Sequence, residues 1–176
     1  TAAPCARIWP VFDADFANRC LTAAETAWEA AIAHPDIYAR NNFTGSGPYD
    51  DEALADEFYW AAAELYITTG EEKYLTAMSE SPHYLQLLPA TYDGAIVTDS
   101  ALSWGEVGGL GTISLALTPS ELDAGAVQEA QQNIIALADG YVAARDGEGY
   151  LLPYAPEAYL WGSNSSLINN MLVLGL

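Results

Sequence analysis

Between Leu54 and Gly70 the apolar residues Leu54, Phe58, Ala61, Ala62, Leu65 and Tyr66 recur at three- and four-residue steps. That spacing lines one face of an α-helix and cannot line one face of a strand. Gly70 closes the run and Glu71 opens a shorter helix reaching Met78, so the segment reads as helix, glycine stop, helix. Five acidic residues, Asp50, Asp51, Glu52, Asp56 and Glu57, crowd the approach to the first of these helices and its first turn. A chain built around such a pair of helices has to pack further helices against their alanine-rich faces.

The same periodicity continues on both sides. Phe16, Cys20, Ala23, Ala24, Ala27, Trp28 and Ala31 form one helical face, with Pro35 beyond its end. The stretch from Trp104 to Leu117 is apolar but carries Gly105, Gly108, Gly109 and Gly111, which predicts a helix of low local propensity with close neighbours. Ser120 is the expected cap of the next helix, with Asp123 at the capping-box position and Val127, Ile134, Ile135, Leu137, Ala138 and Tyr141 on its apolar face. A last helix is expected from near Ser165 through Leu174. Strand candidates are short: 95–97 and 150–152. Long aromatic loops fall at 37–49, 81–100 and 147–163, and no linker divides the chain. The expectation is all-α: one domain over 1–176, a helical toroid with a groove on one face. A helical-repeat scaffold would show self-similarity at about 34 or 40 residues, and the sequence shows none.

Composition narrows the partners. With 24 acidic and 5 basic residues among 176, the formal charge is −19. Nucleic acid is a poor partner for that surface, because binding it needs cations against phosphates. Anionic membranes and polyanionic substrates are repelled, whereas neutral substrates are unaffected. The acids supply hard oxygen ligands of the kind Ca²⁺ takes, or serve only as a soluble surface. No apolar run approaches the roughly 20 residues of a membrane span, and no signal-peptide pattern opens the sequence at Thr1.

Cys5 and Cys20 could form one disulfide. Cys20 lies beside Ala17, Leu21 and Ala24, which favours a free, buried thiol. No histidine stands at zinc-ligand spacing from either cysteine. His34 sits at a helix end and His83 in a Ser-Pro-His-Tyr turn; neither has a nucleophile at catalytic spacing. The residues from Thr1 to Trp9 read as the C-terminal part of a helix, and Leu172 to Leu176 as an apolar face without a polar ending. The expectation is an internal segment of a larger module.

Several pieces resemble, in order, the catalytic module of glycoside hydrolase family 9, the cellulase and endoglucanase type. Arg7-Ile8-Trp9, Phe16-Ala17 and the helix from Ala24 to Trp28 are similar to one block of that family. Ser46-Gly47-Pro48-Tyr49, leading into Asp56-Glu57-Phe58-Tyr59-Trp60-Ala61-Ala62 and on to Thr69-Gly70, is similar to a second. Leu102-Ser103-Trp104-Gly105 resembles a third, and Trp161-Gly162-Ser163-Asn164 before Asn169-Asn170 a fourth. The resemblance implies an (α/α)6 barrel, secretion, and hydrolysis of β-1,4-glucans with inversion. Inversion uses a carboxylic acid and a carboxylate base roughly 6.5–9.5 Å apart. In the family these come from an Asp-Ala-Gly-Asp motif and an Asn-Glu pair, with a His-x-Arg substrate motif before the latter. This sequence holds none of the three; Asp13-Ala14-Asp15 lacks the glycine. By resemblance the chain therefore carries cleft and structural parts and no catalytic residue. The alternative is a non-catalytic helical carbohydrate-binding or scaffold module.

The resemblance also implies site residues. Asp56 and Glu57 match an Asp-Glu pair that in some members binds a structural Ca²⁺ with an upstream Ser-Gly backbone. Asp50, Asp51 and a carbonyl of Ser46 or Gly47 could complete the shell; the alternative is that the acids only favour the positive end of the helix dipole. Neighbouring acids such as Asp50 and Asp51 cannot straddle a sugar ring. Glu106 and Glu157 stand near tryptophans on loops without support from a motif. Trp161, Trp104, Tyr154 and Tyr159 lie in or beside loops, where flat aromatic rings stack on the C–H faces of a β-glucan. Positions corresponding to Trp104 and Trp161 line the cleft in several family members; the alternative is that they plug the ends of the barrel. Trp28 and Trp60 sit on alanine-rich helix faces and are expected in the core. The chemistry needs no cofactor.

Overall fold

The structure, a computed structural model, describes residues 1–38, 45, 53–89, 91–92, 95–96, 100–155, 159 and 162–176. Seven α-helices are defined among them: α1 (Ala2–Ile8), α2 (Ala14–Ala33), α3 (Ala55–Thr69), α4 (Glu72–Ser79), α5 (Gly108–Leu117), α6 (Ala124–Gly147) and α7 (Ser163–Leu174). A 3-10 turn, Trp9–Val11, joins α1 to α2. Between α4 and α5, β1 (Thr91–Tyr92) pairs antiparallel with β2 (Ala95–Ile96).

α3 is the hub. It packs on α5 and α4 and also meets α1 and α2. Its inner face buries Tyr59, Ala62, Ala63 and Tyr66 against Tyr74 and Met78 of α4 and Leu115 of α5. Small residues set the α3–α5 spacing: a Cβ on Gly111 would lie 3.0 Å from Tyr59 Cε1 and 3.2 Å from the Trp60 backbone. Gly70 ends α3 in the left-handed region at φ +70°, its N–H on the Tyr66 carbonyl at 2.8 Å; a glycine adopts that turn without steric cost. Trp28 of α2 is buried edge-on to Phe58 and Tyr74, with centroids at 6.0 and 5.6 Å. Trp60 is only half-buried, and its Nε1–H donates to Glu64 Oε1 at 3.2 Å.

Three boundaries differ from expectation. Asp123, not Ser120, caps α6, accepting from the N–H groups of Gly125 and Ala126 at 2.8 and 3.4 Å. The carboxylate is the stronger acceptor at a helix N-terminus, and Ser120 Oγ instead takes the Leu122 N–H at 3.3 Å. α5 begins at Gly108 because residues 103–106 close a tight turn, Ser103 N–H to Glu106 O at 2.9 Å and Glu106 N–H to Ser103 O at 3.3 Å. The expected strand at 150–152 is a loop: Leu151 has φ +57°, and Glu148 Oε2 accepts the N–H groups of Tyr150 and Leu152 at 2.6 and 3.3 Å. A side chain that takes two successive strand-like donors leaves none for a ladder. Val97 lies outside the described residues.

Candidate functional site

The starts of α3 and α5 converge, and their charges are matched there. Asp56, in the first turn of α3 and 2% exposed, accepts the N–H of Val107, the cap residue of α5, at 2.7 Å. One carboxylate thus satisfies an orphan donor of the neighbouring helix. Glu106 is buried next to it; its Oε1 accepts the Gly108 N–H at 3.0 Å and stands 3.4 Å from His83 Nδ1. A Cβ on Gly108 would sit 2.9 Å from both atoms, so glycine leaves the room this contact needs.

His83 is delivered by the turn after α4. Its ring stacks on Tyr59, with centroids 6.4 Å apart and planes at 25°. The turn ends at Leu85, a buried leucine held at φ +58°. Tyr59 Oη accepts the Leu85 N–H at 3.0 Å, and Asn133 Nδ2 donates to the Leu85 carbonyl at 2.8 Å. Pinning on both sides is what keeps a branched side chain in that region. Thr112 Oγ1 gives its one proton to the Gln86 carbonyl at 2.7 Å, so the Tyr59 hydroxyl donates to Thr112 at 2.9 Å. Hydrogen bonding to Glu106 raises the His83 pKa above 6.5; burial opposes it, and the charges of Glu106, Asp56 and Glu57 add to the rise. Burial pushes the Tyr59 phenol up.

Trp104 stands at the tip of the 103–106 turn, 66% exposed, with the Asp56–Val107 and Glu106–Gly108 anchors beneath it. It does not plug the core. The second aromatic loop meets the first through α7. Asn169 Nδ2 donates to the Leu102 carbonyl at 2.6 Å, and Asn170 Nδ2 donates to the Pro153 carbonyl at 2.9 Å. Two adjacent asparagines thereby clasp the loop that bears Trp104 and the loop that bears Tyr154. Tyr154 departs from the expected sugar contact: it is 1% exposed and stands edge-on to Tyr159 at 5.2 Å, backing that ring. Tyr159 is 44% exposed. The arrangement presents an indole and a phenol on anchored loops, surfaces that suit stacking on neutral sugar rings.

Trp161, Glu157, Asp50 and Asp51 lie outside the described residues. Among the described residues no group of three or more His, Cys, Asp and Glu side chains is placed to hold a metal ion, and Asp56 is engaged by a backbone donor. The described carboxylates do not by themselves make a calcium site. Glu106 is committed to His83 and the start of α5. The His83–Glu106 pair, the asparagine clasp and an Arg7–Glu64 ion pair of 2.6 Å are absent from the expectations. For Glu64, Asn169 and Asn170 the sequence signal is a polar residue on an otherwise apolar helical stretch; His83 and Glu106 lie in turns and carry no such signal. A cavity of about 590 Å³ lined by Tyr66, Glu72, Tyr84, Glu121 and Asp123 opens at the other end of α3, away from these loops. Among the described residues no helix is long and apolar enough to cross a membrane.

Solved structures share this helical architecture. A metagenome-derived glycoside hydrolase family 9 endoglucanase superposes with a TM-score of 0.80 at 29% identity, over 98% of this chain and 30% of its own. The fold is thus that of part of an (α/α)6 barrel. A cellulose 1,4-beta-cellobiosidase of Acetivibrio thermocellus is 44% identical over 99% of this chain and 21% of its own length. Endoglucanase C of Cellulomonas fimi is 39% identical over 98% of this chain and 15% of its own. The profile of glycosyl hydrolase family 9 matches residues 1–176 throughout, and the chain belongs to that family. It spans less than a third of the length of each of these relatives.

Proposed function

We propose that this chain is a central part of a secreted glycosidase that hydrolyses the β-1,4-glucosidic bonds of cellulose or a related β-glucan with inversion. The observation that carries the proposal is the 44% identity to a cellobiosidase over 99% of the chain. Trp104 and Tyr159, with Trp161, supply stacking surface in the cleft, and Tyr154 backs Tyr159. The side chains beneath, Asp56, Glu106 and His83, hold the starts of α3 and α5 in register. No residue of this chain is assigned the acid or the base, since the sequence holds none of the family's catalytic motifs. Exposed Ile168, Met171 and Leu172 on α7 support the reading that further helices of a barrel pack there. A structural Ca²⁺ would take Asp50, Asp51, Asp56 and Glu57, with Asp56 exchanging or sharing its backbone partner.

A second reading, a module that binds β-glucan without turnover, has the exposed Trp104 and Tyr159 rings in its favour. Calorimetry of the chain with cellohexaose, with product analysis on the same sample, separates the two. Binding without cleavage that weakens about tenfold in Trp104→Ala supports a cleft segment that lacks its acid and base. Cleavage by the chain itself moves the search to Glu106 and Glu157. No binding at all removes the β-glucan proposal for this chain.

A further inference from the structure

The cavity of about 590 Å³ at the C-terminal end of α3 is bordered by three carboxylates and two phenols, and none of its lining residues is basic. Two of the carboxylates are answered locally. Glu72 lies in the first turn of α4 and Asp123 caps α6, each at the positive end of a helix dipole. Glu121 is not so placed. A Cβ on Gly70 would sit 3.3 Å from its Oε2, so this carboxylate hangs beside the end of α3, where the dipole is negative. No basic side chain among the described residues pairs with it.

A buried hydroxyl points the same way. Tyr66, on the last turn of α3, is 5% exposed and lines the cavity. A buried phenol ordinarily finds a hydrogen-bond partner, and that of Tyr66 has none among the described residues. Its oxygen is not sealed from solvent, so in a residue this buried it is aimed into the cavity. Burial pushes the phenol's pKa up, and the charges of Glu121 and Glu72 add to the rise. Burial does the same to Tyr84, with Glu129, Tyr66 and Asp123 adding. Both phenols therefore stay neutral and keep a lone pair to offer. They also mark two negative poles, Glu121 with Glu72 around Tyr66, and Asp123 with Glu129 around Tyr84.

The lining selects the ligand. Anions are repelled. A single metal ion does not fit, since no group of three or more His, Cys, Asp and Glu side chains among the described residues is placed to hold one. Leu75, Leu122 and Ala126 add apolar wall, which suits methylene groups and not a hydrated ion. We propose that this cavity binds a small aliphatic diamine. One ammonium donates to Glu121 and the Tyr66 hydroxyl, the methylenes lie on the apolar wall, and the second ammonium faces Asp123 and Tyr84. The site stands apart from the aromatic loops and does not depend on the β-glucan reading.

The test is calorimetry of the full chain with putrescine at neutral pH and fixed ionic strength, with butylamine and Mg²⁺ compared. One putrescine per chain is expected. Butylamine, with a single ammonium on the same carbon chain, should bind about tenfold more weakly, and Mg²⁺ should not displace putrescine. Glu121→Gln should weaken putrescine binding about tenfold, and Tyr66→Phe, which keeps the ring and its packing, about fivefold. Asp139→Asn removes one exposed carboxylate in the second half of α6 and should bind as the wild type does. No saturable binding, several equivalents per chain, displacement by Mg²⁺, or equal losses in Glu121→Gln and Asp139→Asn would mean only diffuse attraction to a chain of charge −19, and overturns the proposal. Unchanged affinity in Tyr66→Phe overturns it as well. Should Tyr66→Phe fail to fold, Glu121→Gln against Asp139→Asn decides.

Discussion

Arg7 and Glu64, 57 residues apart, meet at 2.6 Å, and the Glu64 side chain is 8% exposed. Arg7 Nη1 also donates to the Glu64 carbonyl at 2.9 Å and to Thr68 Oγ1 at 2.7 Å. The second carboxylate oxygen accepts from Ser114 Oγ at 2.6 Å and from Trp60 Nε1 at 3.2 Å. One buried carboxylate thus ties α1, α3 and α5 together, with its charge answered by one guanidinium and its lone pairs by two neutral donors.

Arg7→Met strands that carboxylate. A buried charge that loses its partner costs about 3–5 kcal/mol, and denaturant unfolding should show a loss of that size. Arg7→Lys should recover only part, because an ammonium cannot serve two Glu64 oxygens and Thr68 from one rigid fork. The double variant Arg7→Met with Glu64→Leu should be less damaged than Arg7→Met alone. If all three variants match the wild type, the ion pair carries no structural load.

Two glycines in helices separate packing from propensity. Gly140 in α6 is exposed with nothing within 4 Å of an added Cβ, so Gly140→Ala should stabilise by about 0.5–1 kcal/mol. Gly111→Ala gains the same propensity but drives a methyl against Tyr59 and the Trp60 backbone at 3.0 and 3.2 Å. The overpacking cost of about 1–3 kcal/mol should win, lowering the unfolding midpoint. A midpoint that rises in Gly111→Ala would show that the α3–α5 contact has slack.

The helices were legible because apolar spacing reports directly on local structure. α2, α3, α4, α6 and α7 lie where Phe16 to Ala31, Leu54 to Tyr66, Glu71 to Met78, Val127 to Tyr141 and Leu167 to Leu174 put them. What stayed illegible is contact between residues distant in the chain. Nothing near Trp104 says that Asp56 will cap Val107 and delay α5 to Gly108. Nothing near Tyr154 says that it will be buried behind Tyr159. Cys20 is free but only half-buried, where its apolar neighbours predicted full burial. The aromatic loops were visible as composition; their joining by Asn169 and Asn170 is a tertiary fact.

The calcium proposal has a direct readout in stability. A ligand that binds only the folded chain raises its melting temperature in proportion to the logarithm of ligand concentration. Ca²⁺ should therefore shift the melting temperature of the wild-type chain, and Asp50→Asn with Asp51→Asn should abolish the shift. Mg²⁺ should be the weaker ion, since it holds its waters and demands octahedral geometry. A melting temperature indifferent to Ca²⁺ would leave Asp50, Asp51 and Glu57 as dipole partners of α3, with Asp56 as the cap of α5.

His83 makes stability depend on pH, and the sign follows from its partners. Its pKa is raised above 6.5 by the hydrogen bond to Glu106, with Asp56 and Glu57 adding charge and burial opposing. The folded state therefore binds this proton more tightly than the unfolded chain does. The contribution is fully present below about pH 6.5, the ordinary histidine value. It fades as pH rises through the higher folded-state pKa. Over that window the slope from one proton is at most about 1.4 kcal/mol per pH unit. Unfolding free energy measured from pH 6 to 9 should fall more steeply in the wild-type chain than in His83→Gln. Glu106→Gln should flatten the same window by removing the largest cause of the rise. Parallel pH curves for all three proteins would mean that His83 is held by its stacking on Tyr59 and not by charge.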